Sequence, residues 1–95
     1  MTNKYQVVWT SQFKRDHKTA IKQGKRISRL YDVIEKLANG VALDFQYNDH
    51  ALAGSFAGCR ECHIQPDWLL VYMIENETLV LTLTRTGSHS EIFGR

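Results

Sequence analysis

The chain has 95 residues, 43% of them hydrophobic and 23% charged, with a formal net charge of +2. This supports one compact domain with one core and excludes disordered, collagen-like and low-complexity chains. No stretch approaches the ~20 apolar residues of a membrane span, and the opening MTNKYQVVWT lacks the apolar region and cleavage site of an export signal; a cytoplasmic protein with no membrane partner and with its cysteines as thiols is expected.

Charge is unevenly placed along the chain. Residues 1–36 carry nine Lys/Arg and three Asp/Glu, a net of +6, whereas residues 37–95 carry three and seven, a net of −4. A basic first third suits an anionic partner such as RNA, although a solvated helix surface would look the same.

Residues 4–9, KYQVVW, form a short β-prone run in which Tyr5, Val7 and Trp9 alternate with Gln6 and Val8. Thr10 or Ser11 can then cap a helix. Phe13, His17, Ala20, Ile21 and Gly24 follow at helical spacing, Lys14, Arg15, Lys18 and Lys22 fall on the other sides, and Gly24 reads as the break. A second helix carries Ile27, Leu30, Tyr31, Ile34, Leu37 and Ala38 on one face and stops at Asn39-Gly40. Residues 41–57 show little periodicity and read as a structured loop.

Three antiparallel strands are expected next: 59–65, then 68–74 after a Pro66-Asp67 turn, then 78–85 after the polar turn ENE. In the last of these, Leu79, Leu81 and Leu83 alternate with Val80, Thr82 and Thr84. The order β-α-α-β-β-β describes one α+β domain over residues 1–95, a small antiparallel-rich sheet with two helices packed on one face and no linker or repeat.

The stretch CRECHIQPDW raises a cofactor question, because Cys-x-x-Cys-His is the attachment pattern of c-type haem. In a strand, however, residues three apart face opposite ways, so Cys59 and Cys62 cannot easily share one ion or a disulfide. A zinc site would need two further ligands, for which His50 and His89 have no trusted spacing. A redox pair would open a helix. The reading is no metal and no cofactor, with Cys62 a core residue beside Ile64.

The same alternation puts Glu61, His63 and Gln65 on one face and Arg60, Cys62 and Ile64 on the other. If the helices cover the Cys62/Ile64 face, His63 looks out from the open side, with Asp67 near it at the turn. RTGSHSEIF places Arg85, His89 and Phe93 just after the last strand, and NDH places His50 just before the first of the three. Imidazoles suit proton transfer near neutral pH, arginine suits a phosphate and an aromatic ring suits a nucleobase. That set describes a metal-independent ribonuclease better than a protease; there is no nucleophile elbow and no glycine-rich phosphate loop.

DHALAGSFAGCRECHIQPDWLLVY followed by TLTRTGSHSEIF resembles the YafQ group of RelE-type bacterial toxins, through H-x-L-x-G-x-F-x-G, H-I-x-P-D-W-L-L-V-Y and R-T-G-S-H. The resemblance covers nearly the whole chain and its element order. It implies the toxin of a type II toxin–antitoxin pair, an mRNA endoribonuclease that works in the ribosomal A site and halts translation. It carries the functional roles to His50, His63, Asp67, Arg85, His89 and Phe93; the cysteines lie outside its pattern.

The implied chemistry is attack of an RNA 2′-hydroxyl on the adjacent phosphate, leaving a 2′,3′-cyclic phosphate and a 5′-hydroxyl without metal. On this reading His50 is the base and His89 the acid, Asp67 orients or charge-tunes a histidine, His63 and Arg85 stabilise the phosphorane, and Phe93 stacks on a base. Base and acid remain interchangeable among His50, His63 and His89. Trp68 is read as core in preference to stacking. Lys14, Arg15, Lys18, Lys22, Lys25, Arg26 and Arg29 would contact ribosomal RNA. The implied partners are ribosome, mRNA and a RelB/DinJ-type antitoxin with a ribbon-helix-helix end. The alternative is an inactive toxin-like module that only binds RNA or a partner; the intact acid–base set separates the two.

Overall fold

A computed structural model describes residues 3–94 of the chain. Strand β1 (Gln6–Trp9) is followed at once by helix α1 (Ser11–Lys22), because Thr10 caps the turn: its hydroxyl oxygen accepts from the Phe13 N–H at 3.1 Å. The same hydroxyl lies 3.0 Å from the Leu83 carbonyl, tying the helix start to the last strand. Helix α2 (Ile27–Ala38) buries Leu30, Val33, Ile34, Leu37 and Ala38 and ends at Gly40, whose φ of +74° favours glycine.

Two residues expected on apolar helix faces are exposed. Ile21 is 53% accessible and Tyr31 44%; the Tyr31 hydroxyl instead meets His17 Nε2 at 2.7 Å across the two helices. Spacing defines a stripe, but its outer edge lies beyond the reach of the sheet.

Residues 41–57 are not all loop. They contain a two-residue strand, β2 (His50–Ala51), between 3-10 turns at Phe45–Tyr47 and Gly54–Phe56. Two residues are too few to leave a period in sequence. Strands β3 (Arg60–Gln65), β4 (Trp68–Glu75) and β5 (Val80–Gly87) complete a five-stranded sheet in the order β1-β5-β4-β3-β2, with β1 parallel to β5 and the other pairs antiparallel. β5 starts later than the leucine alternation suggests, because Leu79 sits in the turn with φ +55° and is exposed. A short helix α3 (His89–Phe93) follows β5.

The two long helices pack on one face of the sheet, as expected, while the expectation of a single core is corrected to two. Helices α1 and α2 cover a main core containing Cys62, Ile64, Trp68, Leu70, Tyr72, Leu81 and Leu83. On the other side of the sheet a second, smaller core of Cys59, Leu69, Val71 and Ile92 is roofed by α3 and by Leu52 and Phe56. The sequence signal for α3 was the capping box Ser88-x-x-Glu91, in which both reciprocal bonds form; five residues leave no helical periodicity.

Two bulges set which side chains face the second core. One lies between His63 and Gln65, so Gln65 pairs with Trp68 and leaves the row of Glu61 and His63 where strict alternation put it. The other adds Thr84 to β5, which pairs Leu83 with Tyr72 and Arg85 with Val71. Leu83 thus stays in the main core while Arg85 joins the opposite face and Thr86 turns inward. No helix among the described residues is long and apolar enough to cross a membrane.

Trp68 is a core residue, 1% accessible, and its indole N–H donates to Thr86 Oγ1 at 3.0 Å. The Thr86 hydroxyl in turn donates to the Leu69 carbonyl at 2.7 Å. Thr86→Val keeps the shape and strands the buried indole N–H, so it should lower unfolding free energy by about 1–3 kcal/mol, read from the urea midpoint at unchanged slope.

Candidate active site

The register places His50, Glu61, Val71 and Arg85 in one row across β2, β3, β4 and β5, on the side of the second core. His63 lies in the next row, opposite Leu69 and in line with Gly87. The rings of His50 and His63 are 6.4 Å apart, those of His63 and His89 are 5.7 Å apart, and His89 is 6.4 Å from Phe93. The three expected histidines and the expected phenylalanine therefore form one continuous line.

His50 is fixed from both sides. Asn48 adopts a left-handed conformation, φ +48°, and its carbonyl accepts from His50 Nδ1 at 2.7 Å. His50 Nε2 lies 3.1 Å from Glu61 Oε2. Both ring nitrogens of His50 are thus engaged. Asp49 anchors the strand below by accepting from the Tyr72 hydroxyl at 2.6 Å and from Arg60 Nε at 2.9 Å.

The histidine that Asp67 meets is His89. Asp67 Oδ1 accepts from His89 twice, from the backbone N–H at 3.0 Å and from ring Nδ1 at 2.8 Å. The turn before β4 reaches α3 because α3 folds back over Leu69 and Val71. A carboxylate on Nδ1 fixes the tautomer, and Nε2 of His89 has no hydrogen-bond partner among the described residues. These two bonds, the backbone one foremost, hold the Asp67 carboxyl below its usual range. Glu91 is likewise held low, first by the Ser88 N–H and then by the Gln23 side-chain amide.

The motif glycines have a physical reason. Gly87 has φ +154°, and a Cβ there would lie 3.1 Å from Glu91 Oε1 and 3.3 Å from its Cβ, so only glycine lets α3 sit this close. Phe56 meets Phe93 edge to face at 5.5 Å, and the two rings with His89 and Ile92 wall a cleft of about 540 Å³. A second cleft of about 550 Å³ lies beyond His63, lined by Arg29, Tyr47 and Gln65.

Arg85 is held by a residue that sequence reasoning missed. Asp16 of α1 accepts from its Nε at 2.7 Å and from its Nη2 at 3.3 Å, and also from the Thr86 backbone N–H at 3.1 Å. Asp16 thus caps the edge of β5 beyond the end of β1. Nη2 of Arg85 also reaches the Glu91 carbonyl at 3.4 Å. Of the expected RNA-contacting cations, Lys14, Arg15, Lys18, Lys22 and Arg26 are exposed on the helix side, while Lys25 and Arg29 border the clefts beside Asp67 and His63.

Cys59 and Cys62 lie in different cores on opposite sides of the sheet, as strand alternation requires. Burial pushes the Cys62 thiol up to about 12, which leaves it protonated and inert. Glu61, His63 and His89 bring one possible ligand atom each within 4.8 Å of one another.

The mixed sheet with two long helices behind it and a row of imidazoles in front is the frame of a bacterial toxin of type II toxin–antitoxin systems. The family described as "Bacterial toxin of type II toxin-antitoxin system, YafQ" matches residues 5–94, and the chain belongs to it. It is 35% identical over 89 residues to the mRNA interferase toxin YafQ of Escherichia coli strain K12, covering 93% of this chain and 95% of that one. The toxin of the E. coli DinJ–YafQ toxin–antitoxin complex superposes with a TM-score of 0.88 at 34% identity, over 96% of this chain and 99% of that one. A metal-bound toxin from Helicobacter pylori does so at 0.87 and 40%, over 94% and 99%.

Asp67 and Glu91 titrate lower in the folded chain than in an unfolded one, so folding gains from their ionised forms. That gain is complete above the ordinary carboxyl range, about pH 3.9–4.3, and is lost as pH falls through the lowered folded values. The Asp67 side-chain carboxyl carbon, followed by NMR, should therefore show its own midpoint below about pH 3.9. A midpoint at or above that value would mean that His89 does not hold it.

Proposed function

We propose that this toxin is a metal-independent endoribonuclease that cleaves mRNA in the ribosomal A site and so stops translation in the cytoplasm. The observation that carries the reading is the Asp67–His89 pair, with ring Nδ1 bonded to the carboxylate at 2.8 Å and Nε2 without a hydrogen-bond partner among the described residues. An imidazolium held this way is a general acid for the leaving 5′ oxygen, and Asp67 stabilises its charge. Another imidazole of the row removes the 2′ proton. The products would be a 2′,3′-cyclic phosphate and a 5′-hydroxyl.

Phe93, backed by Phe56, offers a face for a nucleobase next to His89. Arg85 supplies positive charge at the end of the row, oriented by Asp16. The lysines and arginines of α1 and α2 would grip ribosomal RNA through phosphates. The E. coli relative was crystallised with DinJ, which supports a RelB/DinJ-type antitoxin as the partner of this chain. An inactive RNA- or partner-binding module would not need a carboxylate-oriented histidine beside a base-sized aromatic cleft.

Expression without antitoxin should arrest growth and truncate messages. On programmed ribosomes, His89→Ala should slow single-turnover cleavage by roughly 10²-fold or more with ribosome binding little changed. Lys14, Lys18 and Lys22 changed together to Ala should do the reverse, weakening binding and flattening its salt dependence. The metal-bound relative makes a chelator the necessary control: cleavage should persist in EDTA, and its loss there would count against the acid–base mechanism.

A further inference from the structure

The cleft beyond His63 exists because β2 is short. β2 pairs with β3 only at Glu61 and Arg60, so past Glu61 the outer edge of β3 has no strand partner among the described residues. Sheets usually cover or blunt such an edge. Here the 3-10 turn Phe45–Tyr47 and the start of α2 stand off from it and leave a space of about 550 Å³. His63 belongs both to the wall of this space and to the row of imidazoles.

Three chain segments bring polar side chains to the cleft: Gln46 from the turn, Gln65 from the end of β3 and Arg29 from α2. Among the described residues none of these side chains makes a hydrogen bond or an ion pair, whereas Arg60 and Arg85 are each held by an acid. The bulge between His63 and Gln65 is what takes Gln65 out of the imidazole row. Between them stands the Tyr47 ring, packed on the main core with Lys36 Nζ 5.5 Å from its centroid. No carboxylate lines this cleft, although Asp67 and Glu91 line the neighbouring one beside Lys25. The space therefore tolerates an anion, and its two amides each offer donors and an acceptor to a polar edge.

We propose that this cleft is a nucleoside subsite that reads the base lying across the scissile phosphate from the one at Phe93, with Gln46 and Gln65 as the specificity-determining residues and Arg29 on the adjoining phosphate. The inference rests on the ribonuclease reading above. A phosphodiester carries a nucleoside on each side. The cleft of Phe56 and Phe93 takes one of them at the His89 end of the row. The ring of His63, 5.7 Å from that of His89, opens onto the space for the other. The two clefts differ in chemistry, and so divide recognition between them. Stacking on an aromatic ring is tolerant of sequence, because every base has a π-face. Amide side chains discriminate, because the bases differ in the donors and acceptors along their edges. The sequence preference of cleavage is read at the Gln46/Gln65 end of the site, and the Phe93 end supplies grip.

The test uses the full-length chain on ribosomes programmed with messages that differ only in the nucleotide on one side of the cleavage position, and with a second set that differs only on the other side. At one of the two positions the wild type should prefer its best base over its worst by roughly fivefold or more. Gln46→Ala combined with Gln65→Ala should bring that ratio close to one. Arg29→Ala should slow every message of the set by a similar factor and keep the ratio, as a phosphate contact does, and Phe93→Ala should keep it too. In parallel, a dinucleoside phosphate blocked by a 2′-O-methyl group should shift the side-chain amide NMR signals of Gln46 and Gln65 together with the ring signals of Phe93. A ratio that survives in the double variant, or a wild type with no preference at either position, overturns the subsite. A dinucleotide that shifts Phe93 and leaves both amides unmoved overturns it as well. A wild-type chain that cleaves no message overturns the ribonuclease reading instead, and the titration still decides whether the cleft takes a nucleoside.

Discussion

Strand β4 is buried on both faces from Trp68 to Tyr72, and the architecture depends on that double burial. Trp68, Leu70 and Tyr72 face the two long helices, while Leu69 and Val71 face α3. Each fully buried aliphatic contributes about 1.5–3 kcal/mol, so the small second core is enough to seat a five-residue helix that could not stand alone. Seating that helix brings His89 to Asp67 and Phe93 to Phe56. The site exists because a central strand has apolar side chains on both of its faces.

The side chains of the site are held from beneath by acids rather than displayed on a bare sheet. Asp67 holds His89, Glu61 lies against His50 and His63, and Asp16 holds Arg85. Asp67, Asp16 and, toward His50, Glu61 each come from a different segment than the group they meet. The two bulges complete the arrangement: one keeps Arg85 on the face of the imidazoles and turns Thr86 in to satisfy Trp68, and the other ends the alternation of β3 just past His63.

The helix surface and the site meet at one border. Lys25 and Arg29 stand at the start of α2 beside the turn that carries Asp67 and the end of β3 that carries His63. The basic charge of the first third of the chain therefore continues from the exposed helices to the lip of the cleft. That suits an enzyme that must grip a large polyanion and act on a single phosphate within it.

Local pattern in the sequence determined the elements whose length exceeds their period: α1, α2, β3, β4 and most of β5, the α+β class and the opposite facing of the two cysteines. Its motifs also named the three histidines, Asp67 and Phe93, which the fold brings together. Elements too short to repeat their period, β2 and α3, left no periodic trace, and bulges shift register by a residue without any marker in composition. The pairing of Asp67 with His89, of Asp16 with Arg85 and of Glu61 with His50 was decided by tertiary structure alone. Residues 22, 69 and 11 positions apart meet there, and contact at such varied separations is set by how a sheet closes between two cores, which no local spacing encodes.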